Sequence, residues 1–230
     1  TEESIKFGIV AACKHPQVKY SKVNYSKKPY AAQPFQTITY CECHDNHVLW
    51  DKIALSMKDA SEAERRQVHL LSLSIVLSSQ GISFLHAGTE FLRSKKGVEN
   101  SFESPDSINQ INWNLKTKNQ DVYDYTRALI RMRRDHPAFR LSSATLISQC
   151  IRFREDLPEG VIAYTIDGAK AGDQWKKILV CFNGTNTTKR VVAGNGNWIS
   201  FIRNNQLSAN EKLKGELELA PRSCSILYIR

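Results

Sequence analysis

No apolar run in this sequence approaches the roughly 18 residues that a membrane-crossing helix requires, so a bilayer is not an expected partner. The opening residues, Thr1-Glu2-Glu3-Ser4, lack the basic stretch and apolar core of a secretion signal. A signal, if one exists, lies upstream of Thr1. The six cysteines contain no C-x-x-C pair, and no H-x-x-x-H sits on a helical pattern, which argues against a metal centre. No cofactor-binding fingerprint, internal repeat or low-complexity segment interrupts the chain. The basic residues are not interleaved with aromatics, which argues against nucleic acid as a partner.

What is present reads as an ordinary globular chain. Its 230 residues can bury a sizeable core, and 41% hydrophobic with 24% charged residues excludes wholesale disorder. The net charge of +9 is spread along the chain. Its densest group, Arg131-Met132-Arg133-Arg134, falls at the end of an expected helix, where cations complement the dipole. A chain this long needs no disulfide staples, and Cys150, Cys181 and Cys224 lie in apolar runs. Reduced thiols are expected. They point toward the cytoplasm without fixing a compartment.

The pattern divides near residue 140. Residues 15–34 carry three prolines and little periodicity and read as a long loop. Residues 35–41 are β-branched and aromatic and read as a strand that ends in a polar burst, His44-Asp45-Asn46-His47. Ser61 and Glu64 have capping-box spacing before a wide apolar helical face that includes Val68, Leu71 and Ile75. Gly81 stops that helix, and residues 82–87 form a second strand. This is a β-α-β unit, the element of a parallel sheet. A helix over 121–135 is expected to bury Val122, Tyr125, Leu129 and Met132, with Pro137 ending it. Beyond 140, short runs at 150–154, 161–165, 178–182, 190–193, 198–202 and 224–229 alternate with turn residues. They predict an antiparallel β-sandwich.

Polar residues at the C-terminal end of a parallel strand are where an α/β barrel carries its chemistry, which singles out His44 and Asp45. The competing reading is a β-α loop whose Asp and Asn form turns. A metal held by His44, Asp45, His47, Cys41 and Cys43 is disfavoured because strand alternation points the two thiols to one side within an apolar run, and neither C-x-x-C nor a helical H-x-x-x-H is present.

The segment Tyr40-Cys41-Glu42-Cys43-His44-Asp45-Asn46-His47-Val48-Leu49-Trp50-Asp51-Lys52 resembles the seventh barrel strand region of type I pullulanases, within the alpha-amylase superfamily. Residues 81–95, GISFLHAGTEFLRSK, resemble their eighth strand and its exit. Residues 100–113, NSFESPDSINQINW, resemble the debranching-enzyme loop that follows. The resemblance covers residues 1–140. It implies an α/β plus all-β architecture: the last two strands and helices of a TIM (β/α)8 barrel in 1–140, followed by the antiparallel β-sandwich domain in 141–230. It also implies a retaining glycosidase acting on α-1,6 branches of an α-glucan. Asp45 matches the carboxylate that stabilises the transition state, and His44 matches the histidine that binds the same sugar. The nucleophile and general acid of the family belong to strands upstream of Thr1. The chain alone is therefore expected to be inactive, with the remainder of the enzyme chain as its partner. No metal and no cofactor are implied. The alternative is a non-catalytic carbohydrate-binding segment.

Three further residues are candidates for substrate contact. Trp50 is either a sugar platform or an anchor of the strand–helix junction. Asp106 and Asn109 either line the cleft or form turns. Arg93 and Lys95 read as ordinary solvated cations, and His69 as a packed or surface histidine.

Overall fold

The computed structural model describes residues 1–230. The N-terminal part builds a helical layer on a small parallel sheet. α1 (Glu2–Ile9) is followed by irregular chain with two 3-10 turns, at Tyr20–Lys22 and Pro34–Gln36, then by β1 (Ile38–Thr39), α2 (Leu49–Ser56), α3 (Glu62–Ser78) and β2 (Ile82–Ser83). β1 and β2 pair in parallel, with Ile38 opposite Ile82 and Thr39 opposite Ser83. The β-α-β unit is thus present, though each strand is two residues long rather than the seven and six expected.

α3 begins as its sequence requires. Ser61 accepts from the Glu64 backbone N–H, and the Glu64 carboxylate accepts in return from the Ser61 N–H at 2.9 Å. A cap of this kind contributes about 1 kcal/mol. The far end of α3 is closed from outside. Arg133, buried on the neighbouring α6 (Gln120–Asp135), donates to the carbonyls of Leu77, Ser79 and Gly81. Residues read as a dipole-matching basic cluster therefore include one that caps an adjacent helix and fixes the entry to β2. Gly81 has φ +86°, and a Cβ there would lie 2.9 Å from Thr37 Oγ1 and 3.1 Å from the Pro34 carbonyl. Glycine lets β2 approach β1 so closely.

Side-chain alternation gives this two-stranded sheet unlike faces. Thr39 and Ser83 turn toward the helices, with the Ser83 hydroxyl donating to the Val76 carbonyl at 3.3 Å and the Thr39 hydroxyl to Gln80 at 3.4 Å. Ile38, Tyr40, Ile82 and Phe84, on the other face, are exposed, with Tyr40 edge-on to Phe84 at 6.1 Å.

Two short helices, α4 (Asp106–Asn109) and α5 (Asn114–Lys118), precede α6, which buries Val122, Tyr125, Leu129 and Met132 as its spacing dictates. α7 (Ala144–Cys150) was not anticipated: its Ser143 cap holds the Leu146 N–H, and Cys150 closes this helix rather than opening a strand.

The remainder is antiparallel. β3 (Ile151–Phe153), β4 (Val161–Asp167), β5 (Lys177–Asn183), β6 (Lys189–Arg203), β7 (Gln206–Leu207), β8 (Lys212–Leu219) and β9 (Ser223–Ile229) form one seven-stranded sheet, ordered β3-β4-β5-β9-β6-β7, with β8 also pairing β6. Two expected strands, 190–193 and 198–202, are a single β6. The residues Gly194-Asn195-Gly196 between them form a register irregularity, not a turn, and let one long strand bend. Lys189 to Ile199 pair with β8, and Ile199 to Ile202 pair with β9. The expected pair of separate sheets is thereby replaced by one folded sheet. β8 escaped the sequence reading because Lys212, Lys214, Glu216 and Glu218 charge one face.

Alternate residues of β4, β5 and β9 serve two cores. Ile162, Tyr164, Ile178, Val180, Ile226 and Tyr228 pack toward the helices in a cluster that also contains Phe7, Leu71, Leu129 and Met132. Val161, Leu179 and Leu227 pack beneath the bent strands with Trp198 and Leu217. The larger core is continuous across residue 140. A clasp adds to this junction: His136 Nδ1 lies 2.7 Å from Asp173 Oδ1, and Trp175 stacks between His136 and Tyr228 at 3.6 and 4.1 Å.

Candidate functional site

Because β1 and β2 run parallel, the chain leaves both at the same edge, and the segments that follow them meet. His44 and Asp45 stand on the first segment with side chains 81% and 67% accessible, His44 Nε2 lying 3.6 Å from Asp45 Oδ2. Asn46, at φ +61°, turns the chain back. Its N–H donates to Asn100 Oδ1 at 3.2 Å, and His47 Nε2 bonds the Gly97 carbonyl at 3.1 Å.

Beneath this exposed pair lies a buried charged floor. Glu42 accepts the N–H of Leu49, and burial raises its pKa, against the lowering pull of Thr89, the Leu49 N–H and Arg93. Asp51 is buried and fully engaged: Oδ1 accepts the Ser94 hydroxyl at 2.6 Å, and Oδ2 accepts the N–H groups of Lys95 and Gly97 at 2.8 and 3.0 Å. Arg93 and Lys95, read as solvated, are 8% and 4% exposed. Arg93 donates to the carbonyls of Ala87 and Asn109, and Lys95 to the Ser101 hydroxyl at 2.7 Å. Burial lowers the Lys95 pKa, helped by Arg93 and opposed by Glu42, Asp45 and Cys43. Burial, with the charges of Arg93, Lys95 and His44, depresses His86 to about 4, so its imidazole is neutral at pH 7.

The structure separates the other candidates. Asp106 is exposed at the start of α4. Asn109 is consumed by the loop: its Nδ2 donates to the carbonyls of Ser101 and Ser104, and its Oδ1 accepts the Ser101 hydroxyl. It shapes the 101–109 turn. Trp50 is half-buried, with its indole edge-on to His69 at 6.1 Å, the setting of a junction anchor. His69 is wholly buried and bonded to the Thr89 carbonyl at 2.8 Å. Next to α4, a groove of about 610 Å³ runs between Arg93, Ser94 and Lys96 on one side and Ser107 and the exposed Trp113 on the other. Asp51, Asn100 and the buried cations were missed because nothing local marks them. Asp51 lies on a helix that sequence periodicity did not reveal.

Arranged this way, the site offers an ionisable pair on an open rim, held by a rigid base. The family model described as the pullulanase all-beta domain matches residues 147–206. Pullulanase of Bacillus subtilis (strain 168) is 41% identical over 148 residues, covering 63% of this chain and 20% of its own length. The solved type I pullulanase of Bacillus subtilis, complexed with maltose, superposes over 98% of this chain with a TM-score of 0.89 and 30% identity. The chain corresponds to the C-terminal part of pullulanases. A Paenibacillus barengoltzii pullulanase complexed with maltotetraose also covers 99% of the chain, at a TM-score of 0.84 and 36% identity. This pullulanase-like chain spans about a fifth of the length of the curated relatives it matches, and 34% of the Paenibacillus structure.

Proposed function

We propose that this chain is part of a retaining glycoside hydrolase that cleaves α-1,6 branch linkages of pullulan- or starch-type α-glucans. In this reading residues 1–140 complete a (β/α)8 barrel, and residues 141–230 form the C-terminal β domain. The observation that carries it is the setting of His44 and Asp45: accessible and adjacent, on the segment that leaves a parallel strand with one face covered by helices, which is the edge where a barrel keeps its catalytic groups. The exposed apolar face of Ile38, Tyr40, Ile82 and Phe84 supports the same reading, since barrel interiors are packed with such side chains and helices lie outside.

Asp45 would bind hydroxyls of the reacting sugar and hold the ring toward the oxocarbenium-like transition state, with His44 on the same ring. Asp106 would contact glucan beyond it. A retaining mechanism needs two carboxyl groups about 5–5.5 Å apart. The nearby buried carboxylates cannot serve: Glu42 and Asp51 are bound to backbone N–H groups. As the family resemblance implies, the nucleophile and the acid would belong to polypeptide outside residues 1–230, and the isolated chain is assigned no hydrolytic activity. Relatives solved with maltose and maltotetraose support an α-glucan as ligand.

The test is reducing-sugar release from pullulan by the full-length enzyme and by residues 1–230. In the full-length enzyme Asp45→Asn lowers kcat by about 100-fold or more. An unchanged kcat removes Asp45 from the reaction, and hydrolysis by residues 1–230 alone refutes the division of labour.

A further inference from the structure

We propose that Asp51 is a positioning residue for the reaction, setting the place of the His44–Asp45 loop through the 94–100 turn. The inference rests on the functional reading above and deepens it.

The outer part of the His44–Asp45 loop is tied to the 97–100 turn: the His47 imidazole bonds the Gly97 carbonyl and lies 3.8 Å from the Glu99 carboxylate, and the Asn46 N–H donates to the Asn100 side chain. The place of His44 and Asp45 therefore depends on that turn. The turn itself is anchored on Asp51. One carboxylate oxygen takes the Ser94 hydroxyl, and the other takes the N–H groups of Lys95 and Gly97. Gly97 is the shared element, since its N–H serves Asp51 while its carbonyl serves His47. Charge-assisted bonds to backbone N–H groups are short and strong, and a buried carboxylate that accepts three leaves the turn little freedom.

The geometry also explains why a carboxylate stands here. Three donors converge on two oxygens. An amide would present its own N–H groups to one of them, and a hydrophobic residue would leave two backbone N–H groups buried without partners. Asp51 lies in the first turn of the helix that follows the His44–Asp45 loop in sequence. The same short stretch of chain thus carries the reacting-sugar contacts and the group that fixes them from behind. Displacement of a catalytic group by about 1 Å can lower rates by about 100-fold without touching substrate.

The test uses the full-length enzyme with pullulan and three variants: Asp51→Ala, Asn100→Ala and Asn100→Asp. Both alanine variants are expected to lose at least about tenfold in kcat, with KM changed by less than about twofold. Asn100→Asp, which keeps the acceptor for the Asn46 N–H, is expected to restore most of the lost rate. Asn100 is exposed, so its variants remain folded if Asp51→Ala does not. A second readout is the alkylation rate of Cys43, whose Sγ lies 3.7 Å from the Asp45 carbonyl in the same loop. Loosening the loop should raise that rate at least about threefold in Asn100→Ala. Wild-type kcat in both alanine variants, or a rise in KM alone, overturns the proposal. If the wild type releases no sugar from pullulan, the functional reading fails instead. The positioning claim then stands or falls on the Cys43 rate, which overturns it if unchanged.

Discussion

His69 sits in the middle of α3 with no solvent contact, and its protonation state is fixed by what surrounds it. Nε2 faces the Thr89 carbonyl at 2.8 Å and must carry a hydrogen; Nδ1 is buried with no partner and must be the lone pair. Adding a proton there buries a charged ring whose new N–H meets no acceptor. Desolvation therefore drives the pKa from 6.5 to about 4, opposed by the Thr89 bond and aided by the charge of Arg66. Between pH 6.5 and 4 the unfolded chain takes up a proton that the folded chain refuses. Stability contributed by neutral His69 is complete above pH 6.5 and is lost as pH falls toward 4, below which both states are protonated. The difference of about 2.5 pKa units corresponds to about 3 kcal/mol. The perturbation is His69→Gln, whose amide can still donate to Thr89 but cannot titrate. Urea denaturation of the wild type should weaken by about 3 kcal/mol more than that of the variant between pH 7 and pH 4. The histidine ¹⁵N resonances should place the His69 midpoint near 4. His86 titrates in the same window but is common to both proteins and cancels. A His69 midpoint near 6.5, or parallel pH profiles for the two proteins, would refute the reasoning.

Two further outcomes test the base of the site. Gly81→Ala forces a Cβ to within 2.9 Å of Thr37 Oγ1 at a positive φ, so it should lower the urea-derived stability by about 1–3 kcal/mol, and an unchanged midpoint would mean that β2 does not need this approach. Among the six thiols, Cys13, Cys150, Cys181 and Cys224 are buried, and burial pushes the Cys41 thiol up to about 12; iodoacetamide at neutral pH should therefore label Cys43 first, a reaction that Cys43→Ser abolishes.

Elements whose signals are local were legible in the sequence. The Ser61–Glu64 box, the apolar stripe of α6 and the strands β4, β5 and β9 all follow from spacing within a dozen residues. The single strand β6 was read as two because Gly194 and Gly196 mark a bend as strongly as they mark a turn; only pairing with both β8 and β9 distinguishes the two. Helices α2 and α7 are eight and seven residues long, too short for periodicity to emerge. At the candidate site, His44 and Asp45 were singled out because they follow a strand in sequence and match a family motif. Arg93 and Lys95 were misread because their burial is created by the 101–109 loop folding over them, through Ser101 and Asn109. No window of sequence contains that fact.

The same contrast explains how the site is built. Its accessible part is small: an imidazole and a carboxylate on a rim. Its buried part is larger and carries the charges Glu42, Asp51, Arg93 and Lys95. Buried ions are costly unless each is bonded, and here they are bonded mostly to backbone groups and hydroxyls rather than to one another. Each such bond fixes a stretch of main chain, so the floor acts as a set of anchors for two loops that have almost no regular structure of their own. A hydrophobic floor would hold those loops with less directional precision. On this argument the charged residues are kept for the geometry they impose. The exposed strip of Ile38, Tyr40, Ile82 and Phe84 beside them is the opposite case: it gains stability only when further polypeptide packs against it.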